Sequence, residues 1–144
     1  MIVVAVGKKK MPGVSDLLKE YYGRLSRYTR FEEVEIKNDD HDALTASMQK
    51  IANDRSVVVA MEVDGKAMTS EKLSAYIERQ QNDGIQKLIF VIGGAYGLPR
   101  DLSNNASIKL SLSAMTLPHQ LARVVLAEQL YRAFSILAGD PYNH

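Results

Sequence analysis

The chain contains no cysteine. That removes a disulfide framework, a thiolate nucleophile and any thiolate metal site, and it permits an intracellular setting. Zinc would have to rely on three histidines and on carboxylates. Excess charge of one sign is also missing, because 18 basic side chains stand against 17 acidic ones for a net charge of +1. Total charge therefore gives no case for nucleic-acid binding, and any such surface must be a local patch. No apolar run approaches the ~20 residues of a membrane span. The opening MIVVAVGKKKMPG places its apolar residues before its lysines, the reverse of a secretory signal. The expectation is a soluble, cytoplasmic protein. No linker, repeat or low-complexity segment divides the 144 residues, of which 46% are hydrophobic, so a single domain, 1–144, with a substantial core is expected.

What is present changes period several times. IVVAV (2–6), RFEEVEI (30–36), SVVVAMEV (56–63), KLIFVIGG (87–94) and IKLSLS (108–113) predict five strands, rich in β-branched residues and bounded by Gly, Asp, Asn or Pro. Helical spacing lies between them, with Val14, Leu17, Leu18, Tyr21, Tyr22 and Leu25 in one stretch and Leu44, Met48 and Ile51 in the next. A third helix starts at a Thr69/Ser70 cap and stops near Gly84. Alternation of this kind predicts an α/β fold, with a mostly parallel five-stranded sheet covered by helices on both faces. The continuous apolar runs 2–6, 57–61 and 88–92 suit central strands, and the alternating 30–36 suits an edge. KNDDHD (37–42) reads as a solvated loop with His41 as surface. Lys8, Lys9 and Lys10 follow the first strand at the end that faces the ligand crevice in open α/β sheets, so a phosphate-facing role and a solvated turn both stay open.

FVIGGAYGLP (90–99) is the segment most suggestive of a ligand. A P-loop needs a lysine and a hydroxyl residue directly after its last glycine, whereas Gly97 is followed by Leu98 and Pro99. A dinucleotide fingerprint needs another register and the first strand. Two readings survive: backbone without side chains for a flat ligand to lie against, or a tight turn into a short helix beginning at Pro99.

The last third holds a strand, the loop SAMTL (113–117), and a helix opened by Pro118 and closed near Gly139. Projected at ~100° per residue, residues 119–137 carry apolar side chains on most sides, which predicts that a second subunit covers part of the helix. The projection sets His119 and Arg123 about 40° apart at the helix N-terminus, a ready anion site, and makes Glu128 and Arg132 an i,i+4 pair elsewhere. A packing or capping role for His119, and an ion pair at a subunit contact for Arg123, compete with a functional role.

FVIGGAYGL, LSLSAMTLPHQLARVVLAEQLYRAF and the tail PYNH, with the opening VAVGKKK and the middle MEVDGK, resemble the ribosomal large subunit methyltransferase H family of the SPOUT class. The resemblance runs from the first strand to the last residue. It implies an α/β domain whose C-terminal segment threads a trefoil knot, an exception to the rule against threaded loops. It also implies a homodimer that uses S-adenosylmethionine to methylate N3 of a pseudouridine in 23S rRNA, on the assembled ribosome, without metal or membrane. The cofactor contacts it implies are Met61, where the family more often has leucine, Gly93, Gly94 and Gly97, and the run Leu112, Ser113, Ala114, Met115, Thr116 and Leu117. For chemistry, His119 and Arg123 stand ready at the start of the last helix, and the resemblance adds Tyr142 and His144 of the tail. His119 can accept the N3 proton, and Arg123 can bind phosphate or stabilise the uracil enolate. Asn143 stands where the family has histidine and cannot act as a base. Either His144 substitutes from one position later, or Tyr142 and the tail position RNA, supplied across the dimer. Tyr96, inside the glycine loop, faces either RNA or solvent. Two alternatives remain, a SPOUT enzyme for another rRNA or tRNA base and a non-enzymatic α/β module that binds a nucleotide or the ribosome.

Overall fold

A computed structural model of the chain describes residues 1–37 and 40–143. The strands are β1 (Ile2–Val6), β2 (Glu32–Ile36), β3 (Ser56–Ala67), β4 (Lys87–Ile92) and β5 (Ile108–Ser111). The helices are α1 (Val14–Leu25), α2 (His41–Ile51), α3 (Ser70–Asn82), α4 (Arg100–Asn105) and α5 (His119–Ala138), and a single 3-10 turn, Pro141–Asn143, follows α5. The strands form one sheet in the order β2-β1-β4-β3-β5. Every pairing in it is parallel. The alternating strand is at an edge and the continuous apolar runs are central, as their patterns require, because only a strand covered on both faces needs apolar residues at every position.

Successive residues of each central strand feed two different cores. Val3, Ala5, Val59, Phe90 and Ile92 face Leu25 of α1, Leu73 and Ile77 of α3 and Leu126, Leu130 and Phe134 of α5. Ile2, Val4, Val6, Ala60, Ile89 and Val91 face Leu44 and Met48 of α2 and Leu98 ahead of α4. Side chains of this size contribute about 1.5–3 kcal/mol each when fully buried, so both helical layers are held mainly by apolar packing.

Three local differences from the sequence reading have physical causes. Asp64–Gly65 does not end β3. The strand continues to Ala67, and Leu110 of β5 is in register with both Met61 and Lys66, so residues 62–65 bulge from the ladder. Gly65 permits this, because a Cβ there would lie 2.7 Å from the backbone of Leu110. The expected loop 37–42 is shorter than drawn. Asp40 is the N-cap of α2, its carboxylate accepting from the amides of Asp42 and Ala43, and exposed His41 begins the helix. Residues 38 and 39 lie outside the described residues. Pro99 and Pro118 are N-caps, one position ahead of the first helical residue expected for them.

α5 is the helix whose apolar sides call for cover nearly all round. Its own chain covers most of it, since α5 packs between α1 and α3. Leu126, Ala127, Leu130 and Ala133 are wholly buried. The large apolar side chains that stay exposed on it are Leu121, at 39%, and Val125, at 37%. No described helix is long and apolar enough to cross a membrane.

Candidate active site

The C-terminal ends of β3, β4 and β5 and the first turn of α5 surround a cavity of about 590 Å³. That is a size typical of small-molecule sites. Met61 and Glu62 line it from β3, Ile92 and the glycine loop except Tyr96 from the end of β4, residues 110–113 and 115–117 from β5 and its loop, and His119 from α5. Of the expected cofactor contacts, Met61, Gly93, Gly94, Gly97, Leu112, Ser113, Met115, Thr116 and Leu117 all reach this cavity. Ala114 is exposed and does not line it.

The glycine loop is built by close backbone approach. Gly94 and Gly97 form an antiparallel bridge, with the Gly97 amide donating to the Gly94 carbonyl at 3.2 Å. Gly97 has φ of 75°. A Cβ at Gly93 would stand 2.4 Å from the Gly97 carbonyl carbon, so no other residue fits without opening the turn. Tyr96, at the tip, is 82% exposed. Opposite, Ser111 and Ser113 shape the second wall. The Ser111 hydroxyl donates to the Ser113 carbonyl at 2.9 Å, and the Ser113 hydroxyl accepts from the Met115 amide at 3.0 Å.

His119 is half-buried at the head of α5, where its imidazole lies against Gly7 in the loop after β1. Gln120 holds the same loop, its side-chain oxygen accepting from the amides of Lys10 at 2.7 Å and Met11 at 2.8 Å.

Arg123 requires a correction. It does not share the cavity with His119 but points into the fold, with no exposed surface. Its Nη1 donates to the Gly7 carbonyl at 2.9 Å, and its Nη2 to Glu33 at 2.6 Å and Glu35 at 3.1 Å. Nε has no acceptor. The 40° between the two residues places them on one side of the helix, but one further turn carries Arg123 inward under the loop. It is an ion pair within one chain, closer to the structural alternative than to phosphate or enolate binding.

Lys9 joins this cluster at 2.5 Å from Glu33 and 3.9 Å from Glu35, so it is not available to a phosphate. Tyr22 donates to Glu33 at 3.3 Å. Burial pushes the Glu33 carboxyl upward, but the hydrogen bonds and charges of Arg123 and Lys9 outweigh it and hold Glu33 below the usual carboxylate range. Tyr22 is pushed far above its ordinary value, first by burial and then by the neighbouring Glu33 charge.

Tyr142 does not line the cavity of its own chain. Tyr142 packs on Tyr131 with ring centres 4.5 Å apart and under Arg132 at 5.0 Å, and its hydroxyl donates to Glu128 at 3.3 Å. Glu128 and Arg132 form the expected pair at 2.6 Å. Burial and then the Glu128 charge push the Tyr142 hydroxyl up to about 12. His144 lies outside the described residues.

Sequence reasoning missed Glu62, the one carboxylate that lines the cavity, and Gln120. Glu62 sits in a strand pattern that gives a carboxylate no distinguishing mark. Gln120 acts across 110 positions of sequence, and no local signal marks such a tie. Among the described residues no group of three or more His, Asp or Glu could hold a metal ion.

The family model described as "Predicted SPOUT methyltransferase" matches residues 1–144. A protein of Sorangium cellulosum (strain So ce56), named ribosomal RNA large subunit methyltransferase H, is 44% identical over 144 residues, covering 100% of this chain and 99% of that protein. A protein of the same name from Clostridium botulinum (strain Okra / Type B1) is 40% identical, covering 98% of this chain and 97% of its own length. Among solved structures, the SpoU methyltransferase AviRb of Streptomyces viridochromogenes, in complex with the cofactor AdoMet, aligns with a TM-score of 0.51 at 13% identity. It covers 97% of this chain, which spans 58% of that one, and the likeness speaks for the fold alone. A family match over every residue is joined by relatives of equal length, and the chain belongs to the SPOUT methyltransferase family.

Proposed function

We propose that this chain is a cytoplasmic, homodimeric methyltransferase that uses S-adenosylmethionine to methylate N3 of a pseudouridine in 23S rRNA on the assembled ribosome. The observation that carries the reading is the cavity, because its walls suit that cofactor and not a phosphorylated one. Its lining is largely apolar or backbone, and it includes no lysine or arginine and a single carboxylate, Glu62. A cationic sulfonium and an uncharged adenine fit such walls, whereas a di- or triphosphate would lack any counter-charge. Met61 and Leu117 would flank the adenine ring, and the backbone of 93–97 and 112–117 would hold its polar edge. The relatives' name supplies the class of RNA, and the pseudouridine N3 position rests on the family resemblance.

When bound, the cofactor supplies an electrophilic methyl group. The chain has to do the rest. N3 of a pseudouridine carries a proton that must leave before or as the nitrogen attacks. His119, at the cavity wall, takes that proton, and holding nitrogen and methyl in line supplies much of the rate. Arg123 acts as a positioning residue by fixing Gly7 behind the imidazole. Tyr142 and His144 complete the site from the partner of the dimer, and the C-terminal segment forms a trefoil knot around the cavity. Leu121 and Val125, the exposed apolar residues of α5, belong to the dimer contact.

Calorimetry with S-adenosylmethionine and S-adenosylhomocysteine, followed by mass mapping of 23S rRNA from a deletion strain before and after treatment with the protein, tests this reading. Binding of both compounds and restoration of one methylated pseudouridine are expected. Absence of both binding events would remove the enzyme reading. Methylation of a different base would keep the enzyme and change its substrate. Replacing Tyr142 or His144 should lower turnover more than cofactor affinity.

A further inference from the structure

We propose that the loop between β1 and α1, residues 7–11, is the phosphate-contacting edge of the site, with Lys8 and Lys10 meeting backbone phosphates of the RNA beside the target base. The proposal rests on the rRNA methyltransferase reading and adds to it how the RNA is held.

The cavity contributes no lysine or arginine of its own, so it cannot neutralise the RNA backbone around a base that enters it. Arg123, the cation nearest to it on α5, is wholly buried and committed to Glu33 and Glu35. Lys9 is committed to the same two carboxylates. Of the three consecutive lysines, Lys8 and Lys10 alone are exposed. The division follows from the ion pairs, which turn Lys9 toward β2 and leave its neighbours toward solvent.

Their place is set by three ties to α5. Gly7 touches the His119 ring, with a Cβ there only 2.7 Å from Nε2. The Gly7 carbonyl accepts from Arg123 at 2.9 Å. The amides of Lys10 and Met11 both donate to Gln120. His119 lines the cavity, so the loop that carries exposed Lys8 and Lys10 runs beside the cavity wall, on a backbone pinned at both ends. A pinned loop loses little further backbone entropy when it meets RNA, which lets two lysines act where a freely moving basic segment would be costly to order. The net charge of +1 makes a local patch of this kind necessary, because the whole molecule offers no strong attraction to RNA.

The test compares wild type, Lys8→Gln, Lys10→Gln, the double variant and Lys50→Gln, with ribosomes from a deletion strain as substrate at several salt concentrations. Lys50 is an exposed residue in the last turn of α2, at the opposite end of the strands from the cavity. The double variant should raise KM for ribosomes about tenfold, leaving kcat and S-adenosylhomocysteine affinity unchanged. The slope of log(kcat/KM) against log salt should become shallower by about 0.7–0.9 for each phosphate that a variant no longer neutralises. Lys50→Gln should move neither quantity. Unchanged KM and salt slope in the double variant would overturn the proposal, as would an equal change in Lys50→Gln or a reduction confined to kcat or cofactor affinity. A wild-type protein that binds neither cofactor form and methylates no ribosome would bring down the functional reading itself and this proposal with it.

Discussion

The imidazole of His119 rests on the α-carbon of Gly7, so closely that a Cβ at position 7 would stand 2.7 Å from Nε2. Gly7 also has φ of 95°, a conformation that L side chains rarely adopt. Gly7→Ala should therefore act twice. The left-handed backbone costs about 1–2 kcal/mol, read as a lower urea midpoint. The displaced imidazole lowers kcat by about 100-fold, a reduction of the size expected when a reacting group moves by roughly 1 Å. Unchanged turnover at saturating substrates would show that His119 has no part in the chemistry.

Arg123 and Glu33 form the most enclosed ion pair of the fold, at 2.6 Å with the guanidinium wholly buried. Arg123→Met should cost about 3–5 kcal/mol in chemical denaturation, since it leaves Glu33 and Glu35 without their main partner. Glu33→Gln should cost less, because Arg123 keeps Glu35 and the Gly7 carbonyl. Equal small effects in both would mean that the pair is not enclosed as described.

Acid should weaken the fold through the same cluster. The Glu33 carboxyl is held below the ordinary glutamate range, so its ionised form stabilises the folded chain at any pH above that range, about 4.3. The contribution disappears as pH falls through the lower folded value. Urea midpoints measured from pH 7 down to pH 3 should decline at the acid end in wild type and decline less in Glu33→Gln. Parallel curves would remove Glu33 from the acid transition.

Gly93→Ala tests the glycine wall. The added methyl would lie 2.4 Å from the Gly97 carbonyl carbon, and a backbone atom cannot rotate away as a side chain can. The turn must open, and calorimetry should show S-adenosylhomocysteine affinity reduced by about tenfold or more, equivalent to at least 1.4 kcal/mol. Wild-type affinity would place the cofactor elsewhere.

Leu121 and Val125 are exposed one turn apart on α5. The double variant Leu121→Glu and Val125→Glu should sediment as a monomer with an unchanged circular dichroism spectrum, because neither side chain belongs to the core of its own chain. A wild-type protein that is already monomeric would reject the dimer.

Much of the sheet was legible because burial on two faces leaves a plain mark. IVVAV and KLIFVI are apolar at every position and are central, whereas EEVEI alternates and forms an edge. The caps at Thr69 and the stop at Gly139 were equally local. The length of β3 was not, because Asp64–Gly65 reads as a turn until the backbone of β5 is laid against it.

By itself, then, the sequence determined the α/β class and the order of strands and helices along the chain, since periodicity, caps and glycine placement are properties of short segments, whereas the two loops were joined as walls of one pocket by the family resemblance. The fate of charged side chains was decided by the tertiary structure. A projection of α5 puts Arg123 beside His119, yet whether a guanidinium reaches a ligand or an internal carboxylate depends on what stands opposite it. Here Glu33 and Glu35 arrive from an edge strand 88–90 residues away. Their charges turn Arg123 and Lys9 inward, and Lys8 and Lys10 stay exposed.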